Sequence, residues 1–443
     1  MKDSTTVGRG AEGLIAPDLT LDMNRLRLGG TDVVLLAGVV FWMIYMVNGF
    51  RLPTAPIEIS DKNAGATVRQ LVFSACGGIA LFRLLCTRCL GPILVLRWPM
   101  VCLIGLIFLS CLWSERPELT IKRGIIFVFG ALSLMVLVHG SKRPTALMLR
   151  TVVFFVGVVA SLSILFYIVL PTACTVNPAR PGLAGVSVHP NTLAPFLSIG
   201  LILSFAFRAE TGVDKLMLRV SQIASGMALF MAFSVTTLAT TMIGVGIYVF
   251  LVSSSYRRGV IQLLAIGIIS VVSVVGLQTV KGELFDAAGR DESLSGRGDL
   301  WQAVQYEIEK TPMVGHGFGS FWVEGKGREL VQTWNPRQSH HAYLDVLLDL
   351  GVLGLIIVIL LFVVRLLLAW PRVSGCVNSD QRRASGAMIA VAFSYMVFYA
   401  FGQSYLLRFD AFPFFVLFWI TLLITNRDRN CMESEYEYER GEN

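Results

Sequence analysis

Charged residues are scarce in this 443-residue chain: Asp, Glu, Lys and Arg make up 15% of it, hydrophobic residues make up 54%, and the mean hydropathy is +0.66. A soluble enzyme of this length needs far more charge to cover its surface, so the composition excludes an ordinary soluble domain and selects a polytopic membrane protein. The apolar runs are continuous and do not alternate, which excludes a transmembrane barrel. The first 30 residues lack a short apolar run ending in a small-residue cleavage site, so the first hydrophobic segment is expected to stay in the mature protein. Histidine is rarer still, five in all. No HExxH or comparable spacing occurs, so no metal site is expected, and no GxSxG elbow supports a serine nucleophile. The eight cysteines lie mostly in or beside apolar stretches and set out no disulfide framework. Cys86 and Cys89 form a lone CxxC without the second pair that a zinc site needs. Internal repeats and low-complexity tracts are missing too, which removes the usual signs of a second domain.

What is present is a succession of apolar segments, each long enough to cross a bilayer as a helix. They fall near 33–49, 70–86, 98–113, 124–140, 149–170, 192–207, 220–236, 241–255, 260–277, 342–368, 386–402 and 409–426. The sequence thus predicts an all-α polytopic membrane protein with about twelve transmembrane helices and one long periplasmic loop containing short helices. In the eighth segment, the polar break from Ser234 to Thr241 reads as a tight turn or a kink. The formal charge of +7 comes from basic residues scattered in short connections, which fits topology and not a nucleic-acid partner. Loops with Arg83 and Arg88, Lys142 and Arg143, Arg257 and Arg258, and Arg382 and Arg383 share one side if the N-terminus is cytoplasmic. The expected organisation is a cytoplasmic tail over 1–30, nine helices over 31–277, a periplasmic loop over 278–341, three helices over 342–426, and a cytoplasmic tail over 427–443.

The long loop holds most of the chemistry, since loops of this length are usually functional or disordered. Its stretch from Leu294 carries Leu300, Trp301, Val304 and Ile308 at helical spacing, predicting an amphipathic helix on the outer membrane surface. A glycine-dense turn, VGHGFGSFW, starts at Val314, and such a turn permits close backbone approach to a ligand. Several arginines fall on the outer side against the topological bias, among them Arg116, Arg123, Arg180, Arg290, Arg297, Arg328, Arg337 and Arg408. A guanidinium offers forked donors that match phosphate oxygens, so an outer cluster points to an anionic ligand at the lipid boundary. Headgroup contact, or pairing with Glu115, Asp299, Glu307 or Glu309, is the plainer account of any single arginine. Arg180 and Arg297, each beside glycines in a short motif, read as ligand-holding.

From Trp334 to Ile356 a polar stretch with Arg337, Gln338, Ser339, His340 and His341 runs into an apolar helix with Asp345, Asp349, Gly351 and Gly354. The two histidines sit where a water-facing loop enters the membrane, where an imidazole can accept a proton or donate an oriented hydrogen bond. A helix N-terminus preceded by polar residues is the simpler explanation. Asp345 and Asp349 lie on roughly one helical face, and acids inside a membrane helix are functional candidates by default. A transporter with arginines and midplane acids along a pathway is the reading from another class, but it predicts paired half-chain repeats and charges deep in several helices.

His340, one residue, nine more, then Gly351-Val352-Leu353-Gly354 resembles the H[N/S/Q]x9GxxG signature of the bacterial O-antigen ligase and polysaccharide polymerase superfamily. The second position, usually amide or hydroxyl, is His341 here. LSCLWSERPELTIKRG from Leu109, RPGLAGVSVHPNTLA from Arg180, SGRGDLW from Ser295 and PMVGHGFGSFW from Pro312 are similar in the family's order, over about residues 105 to 360. The WSxxP element and the GFGSFW turn look most like the exopolysaccharide-production polymerases. The resemblance implies a metal-independent, cofactor-free glycosyltransferase on the periplasmic face of the bacterial inner membrane, with both termini cytoplasmic. Its donor would be a glycan on undecaprenyl pyrophosphate and its acceptor a sugar hydroxyl, with polysaccharide export and chain-length proteins as partners. His340 would activate or orient the acceptor hydroxyl, and Arg180 and Arg297 would hold the pyrophosphate. Asn191, His189, His341, Trp301 and Arg337 would contact sugar or phosphate. A ligase that moves finished O-antigen onto lipid A-core shares donor and chemistry and is the alternative.

Overall fold

In a computed structural model of the chain, the described residues are 30–47, 66–87, 98–141, 143–171, 175–177, 180–187, 189–253, 261–262, 297–331, 336–374 and 379–424. Apolar composition without charge makes helices here, because a backbone in lipid has to satisfy its own polar groups. The helices are α1 (Gly30–Met46), α2 (Ala66–Cys86), α3 (Trp98–Leu109), α4 (Pro117–Gly140), α5 (Pro144–Val169), α6 (Pro190–Ser204), α7 (Gly212–Met231) and α8 (Val235–Val252). After them come α9 (Arg297–Lys310), α10 (Ala342–Val358), α11 (Arg365–Ser374), α12 (Ser379–Val397) and α13 (Phe412–Ile424). A π-helical segment, Ile359–Val364, joins α10 to α11.

Every apolar segment expected from the sequence that falls within the described residues coincides with a helix. The segment at 260–277, residues 278–296 and both expected tails lie almost wholly outside those residues. Among the described residues, five helical stretches are long and apolar enough to cross a membrane: Pro117–Gly140, Pro144–Val169, Val235–Val252, Ala342–Ala369 and Ser379–Phe401. The chain is a multi-pass all-α membrane protein. A two-stranded antiparallel hairpin, β1 (Thr175–Asn177) with β2 (Arg180–Leu183), interrupts the helices.

Local chemistry explains the helix starts. Proline occupies the first turn of α4, α5 and α6, where its missing N–H costs nothing. Thr211 and Asp214 form a reciprocal cap on α7. The break at Ser234 is a tight turn: Phe233 adopts φ 48°, and Ser234 stands at the N-cap of α8.

The core between helices is aromatic at one end, where Trp42, Phe127, Phe409, Phe414, Phe415 and Phe418 pack on one another. Elsewhere small residues let helices approach: a Cβ on Gly157 would lie 2.7 Å from Ser221, and one on Gly200 would lie 2.5 Å from Val156.

The helix α10 is not continuous. Gly351 takes φ 64° and ψ −163° inside it, a left-handed break that L side chains resist. The glycine-dense turn fills the break: His316 and Gly317 donate to the carbonyls of Leu348 and Asp349, at 2.7 and 3.0 Å, while Val352 and Leu353 donate to Pro312 and Met313, at 2.9 and 3.2 Å. A Cβ on Gly351 would meet Met313 at 2.3 Å. The close backbone approach that such a turn permits is made here to the chain's own helix.

Helix α9 also departs from expectation. Its apolar stripe does not face lipid alone: Leu300 and Val304 are buried with Phe321 and Leu348, and Trp301 and Ile308 pack on that cluster. The stripe is therefore spent on the glycine turn and on α10.

Candidate active site

The loop before α10 is held by an unusual number of bonds for a turn of three residues. The Ser339 amide donates to Asp345 Oδ1 at 3.0 Å, and Trp322 Nε1 donates to the same oxygen at 3.1 Å. Trp301 Nε1 donates to the Ser339 carbonyl at 2.9 Å. The His341 amide donates to Ser339 Oγ and to Ser404 Oγ, both at 3.1 Å. His340 sits inside this frame at φ 57°, a left-handed conformation uncommon for a residue with a side chain.

The two adjacent histidines are used differently. His341 is the N-cap of α10: its Nδ1 accepts from the Leu344 amide at 3.3 Å, and its ring packs against Trp301, Tyr343 and Phe401. Burial pushes its pKa below the ordinary histidine value. His340 is half-exposed, and its Nδ1 lies 3.4 Å from Gln338 Nε2.

Gln338 borders a cavity of about 400 Å³ at this end of the bundle. Five cationic side chains line it, Lys122, Arg123, Arg328, Arg337 and Arg408, against three carboxylates, Asp345, Asp349 and Asp410. Four segments supply them: the start of α4, the loop after α9, the first turns of α10, and the loop before α13. Arg408 makes two bonds to Asp410, at 3.2 and 3.1 Å, and donates from Nη1 to Gln338 Oε1 at 3.1 Å. The Asp410 carboxylate holds the Arg408 pKa above its ordinary value. Arg123 donates to the Gly319 carbonyl, and a Cβ at Gly319 would come within 2.5 Å of that arginine's Cδ. Among the described residues, Arg328 Nε and Asp349 Oδ1, both buried in the lining, find no hydrogen-bond partner.

The motifs in 109–123 and 312–322 meet behind this cavity. Trp113 Nε1 donates to Val314, the Phe318 amide donates to Ser110 Oγ at 3.1 Å, and Lys326 pairs with Glu115. That ammonium holds the Glu115 carboxyl below its ordinary value. His316 is tied to the Glu307 carbonyl at 3.1 Å, and burial lowers its pKa. It is a structural pin between α9 and the turn.

The residues expected at a site are brought together unequally. Arg337 lines the cavity, His340 adjoins it through Gln338, and Trp301 holds the loop through Ser339, with His341 serving as a cap beside them; neither histidine of the pair lines the cavity itself. His189 caps α6 by accepting from the Asn191 amide at 3.0 Å, and Asn191 Oδ1 accepts from Ser234 Oγ at 3.2 Å. They occupy the same end of the bundle, since a Cβ on Gly402, next to Phe401, would lie 2.9 Å from Thr236. Neither lines the cavity. Arg180 begins β2 and Arg297 begins α9, one turn ahead of Trp301 on the same helical face; their side chains lie outside the described set. Arg290 lies outside the described residues altogether. The sequence sets Lys122, Arg123, Arg328 and Arg408 among the outer basic residues that point to an anionic ligand, but does not prefer them over Arg180 and Arg297. The available signal was their shared sidedness, which says nothing of proximity across three separate segments.

This arrangement can hold a polyanion next to an imidazole at a membrane boundary. Comparison with known proteins gives two matches. A family model described as O-antigen ligase matches residues 220–359, the stretch that holds the glycine turn, both histidines and Gly351. The chain is 22% identical over 276 residues to the exopolysaccharide production protein ExoQ of Rhizobium meliloti (strain 1021), covering 58% of this chain and 61% of that relative. The match thus spans less than two thirds of the relative's length.

Proposed function

These two matches support the O-antigen ligase and polysaccharide polymerase superfamily for this chain, and from that premise we propose that it polymerises undecaprenyl-pyrophosphate-linked repeat units of an exopolysaccharide. The observation that carries the proposal is the arginine-lined cavity joined to His340 through Gln338. A lipid-linked diphosphate presents its charge at headgroup depth, and forked guanidinium donors at that depth stabilise both the bound donor and the charge that builds on it as the sugar departs. Arg337 and Arg408 flank the histidine loop; Arg123 and Arg328 line the deeper wall. Arg328 Nε supplies a buried donor that no atom of the described residues uses. Arg180 and Arg297 remain proposed phosphate ligands, with Arg297 on the helix that Trp301 ties to the catalytic loop. His340 is the proposed catalytic residue, because His341 has already committed a ring nitrogen to its helix. Asn191 and His189 remain proposed sugar contacts.

The reaction sits in the bacterial inner membrane with both termini cytoplasmic and the cavity facing the periplasm, where a lipid-linked donor replaces nucleotide sugars. The acceptor is the terminal sugar hydroxyl of another glycan chain, and export and chain-length proteins are the expected partners. Transfer to lipid A-core by a ligase shares the donor and differs only in acceptor. A deletion strain separates them: loss of high-molecular-weight secreted polymer with intact lipopolysaccharide is the expected result, whereas accumulation of free lipid-linked O-antigen would establish the ligase and overturn the polymerase. ExoQ, named for exopolysaccharide production, favours the first.

A further inference from the structure

We propose that Asp349 is a specificity-determining residue: its carboxylate accepts a hydrogen bond from a hydroxyl of the first sugar ring on the lipid diphosphate, so that the cavity reads the sugar as well as the phosphates. The inference rests on the reading of the cavity as a lipid-diphosphate site and adds to it what an aspartate does among the arginines.

The three carboxylates of the lining are not equally occupied. Asp345 is spent on the histidine loop, its Oδ1 taking the Ser339 amide and the Trp322 indole. Asp410 takes two bonds from Arg408. Asp349 is half-buried at the cavity wall; it has a backbone bond from Gly319, and among the described residues its Oδ1 has no partner. A carboxylate offers about four lone-pair sites, so acceptor capacity is left over there. A polar group kept dry and unsatisfied is costly, and a donor on a ligand removes that cost. The phosphates cannot supply one. A diphosphate diester carries acceptors alone, which suit guanidiniums and leave an aspartate unanswered. The sugar bonded to it carries hydroxyls, and a hydroxyl donates.

The placement fits the same ligand. Gly319 stands between a cation and an acceptor: Arg123 donates to its carbonyl, and its backbone bonds to Asp349. Gly319 takes φ 67°, and a Cβ there would come within 2.5 Å of Arg123 Cδ, so the two side chains close on a residue that has none. A donor for a phosphate oxygen and an acceptor for a hydroxyl are thus held on either side of one glycine, as phosphate and sugar ring are neighbours in the ligand. Asp349 is itself fixed in place, because its carbonyl accepts from the Gly317 amide at 3.0 Å, two residues ahead of the left-handed Gly351. Trp322 lines the same cavity with its indole N–H committed to Asp345. An indole and a carboxylate together offer a sugar an apolar surface for its C–H groups and an acceptor for its O–H groups. The volume of about 400 Å³ is that of a small-ligand pocket.

The test compares lipids of equal charge and ring size on the full-length protein in nanodiscs. One is undecaprenyl diphosphate bearing glucose, galactose or N-acetylglucosamine in turn; the other is undecaprenyl cyclohexyl diphosphate, whose ring has no hydroxyl. Wild type should bind the best of the sugar lipids about tenfold or more tightly than the cyclohexyl lipid, since a site built around a hydroxyl rejects the analogue that lacks it. Asp349→Asn keeps an acceptor for the Gly319 amide, so the melting temperature should hold, but it exchanges a charged acceptor for a neutral one. The preference for the sugar lipid should then shrink several-fold, with binding of the cyclohexyl lipid undiminished. Equal wild-type affinity for the two kinds of lipid, a preference that survives Asp349→Asn, or a parallel loss of both would overturn the inference and leave the diphosphate site standing. Wild-type protein that retains neither lipid would refute the diphosphate reading and the inference with it.

Discussion

His340 and His341 share a chemistry and a neighbourhood, yet one caps a helix while the other faces the cavity network. Substitution should separate them. His340→Ala is expected to abolish polymer formation while the protein still inserts and purifies normally, whereas His341→Ala should cost about 1 kcal/mol through the lost cap and leave measurable activity. Polymer yield and detergent melting temperature read the two effects; near-normal polymer from His340→Ala would transfer the catalytic role to its neighbour. Arg297→Lys should be badly impaired in polymer yield, because a lysine cannot reproduce the fork. The rings also set a pH dependence. Burial lowers the pKa of both His316 and His341, so the unfolded chain binds protons that the folded one declines. Their contribution to stability is intact above the unfolded value of roughly pH 6.5 and falls away as the pH drops below it. Melting temperature measured from pH 7.5 to 5 should decline over that interval, and a flat profile would mean that these imidazoles are not held neutral. The proposed catalytic histidine was legible from a pattern of spacing. Gln338 was not, because its role depends on Arg408, seventy positions further on.

At the scale of elements, the informative feature is the interruption of α10. Gly351 and the 312–317 turn exchange the hydrogen bonds that an unbroken helix would have made with itself. Gly351→Ala should therefore destabilise by about 2 kcal/mol or more, since it strains the left-handed backbone and drives a Cβ into Met313. Reduced yield and a lower melting temperature are the readouts, and an unchanged protein would show that the break is not required. Trp301→Phe removes one hydrogen bond to Ser339 and should cost about 1 kcal/mol while loosening the histidine loop. Helices and the stripe on α9 were readable from the sequence, because apolar periodicity reports which face is buried. What the face packs against was not readable. Leu300 and Val304 suit a lipid surface as well as they suit Phe321 and Leu348, and only the fold distinguishes the two. The glycines carried a similar ambiguity, since close approach is required in either case and the partner was the open question.

For the whole molecule, the sequence displayed a many-helix membrane protein with its chemistry on one side, and the structure adds where that chemistry converges. Lys122, Arg123, Arg328, Arg337 and Arg408 come from distant positions and meet around a single cavity. Paired charge-reducing substitutions there, such as Arg337→Ala with Arg408→Ala, should reduce binding of a lipid diphosphate more than either alone, measured as retention of labelled donor by the purified protein. Donor retention unaffected by the pair would place the diphosphate elsewhere.

The gap in α10 has a consequence for biogenesis. A span that enters lipid with Leu348 and Asp349 carbonyls and the Val352 and Leu353 amides unmatched would carry orphan dipoles into hydrocarbon, at a cost of several kcal/mol. The segment that matches them, 312–317, is synthesised earlier. The ribosome therefore delivers the plug before the hole, and the span trades its own helical bonds for those of the turn only once both segments are in place.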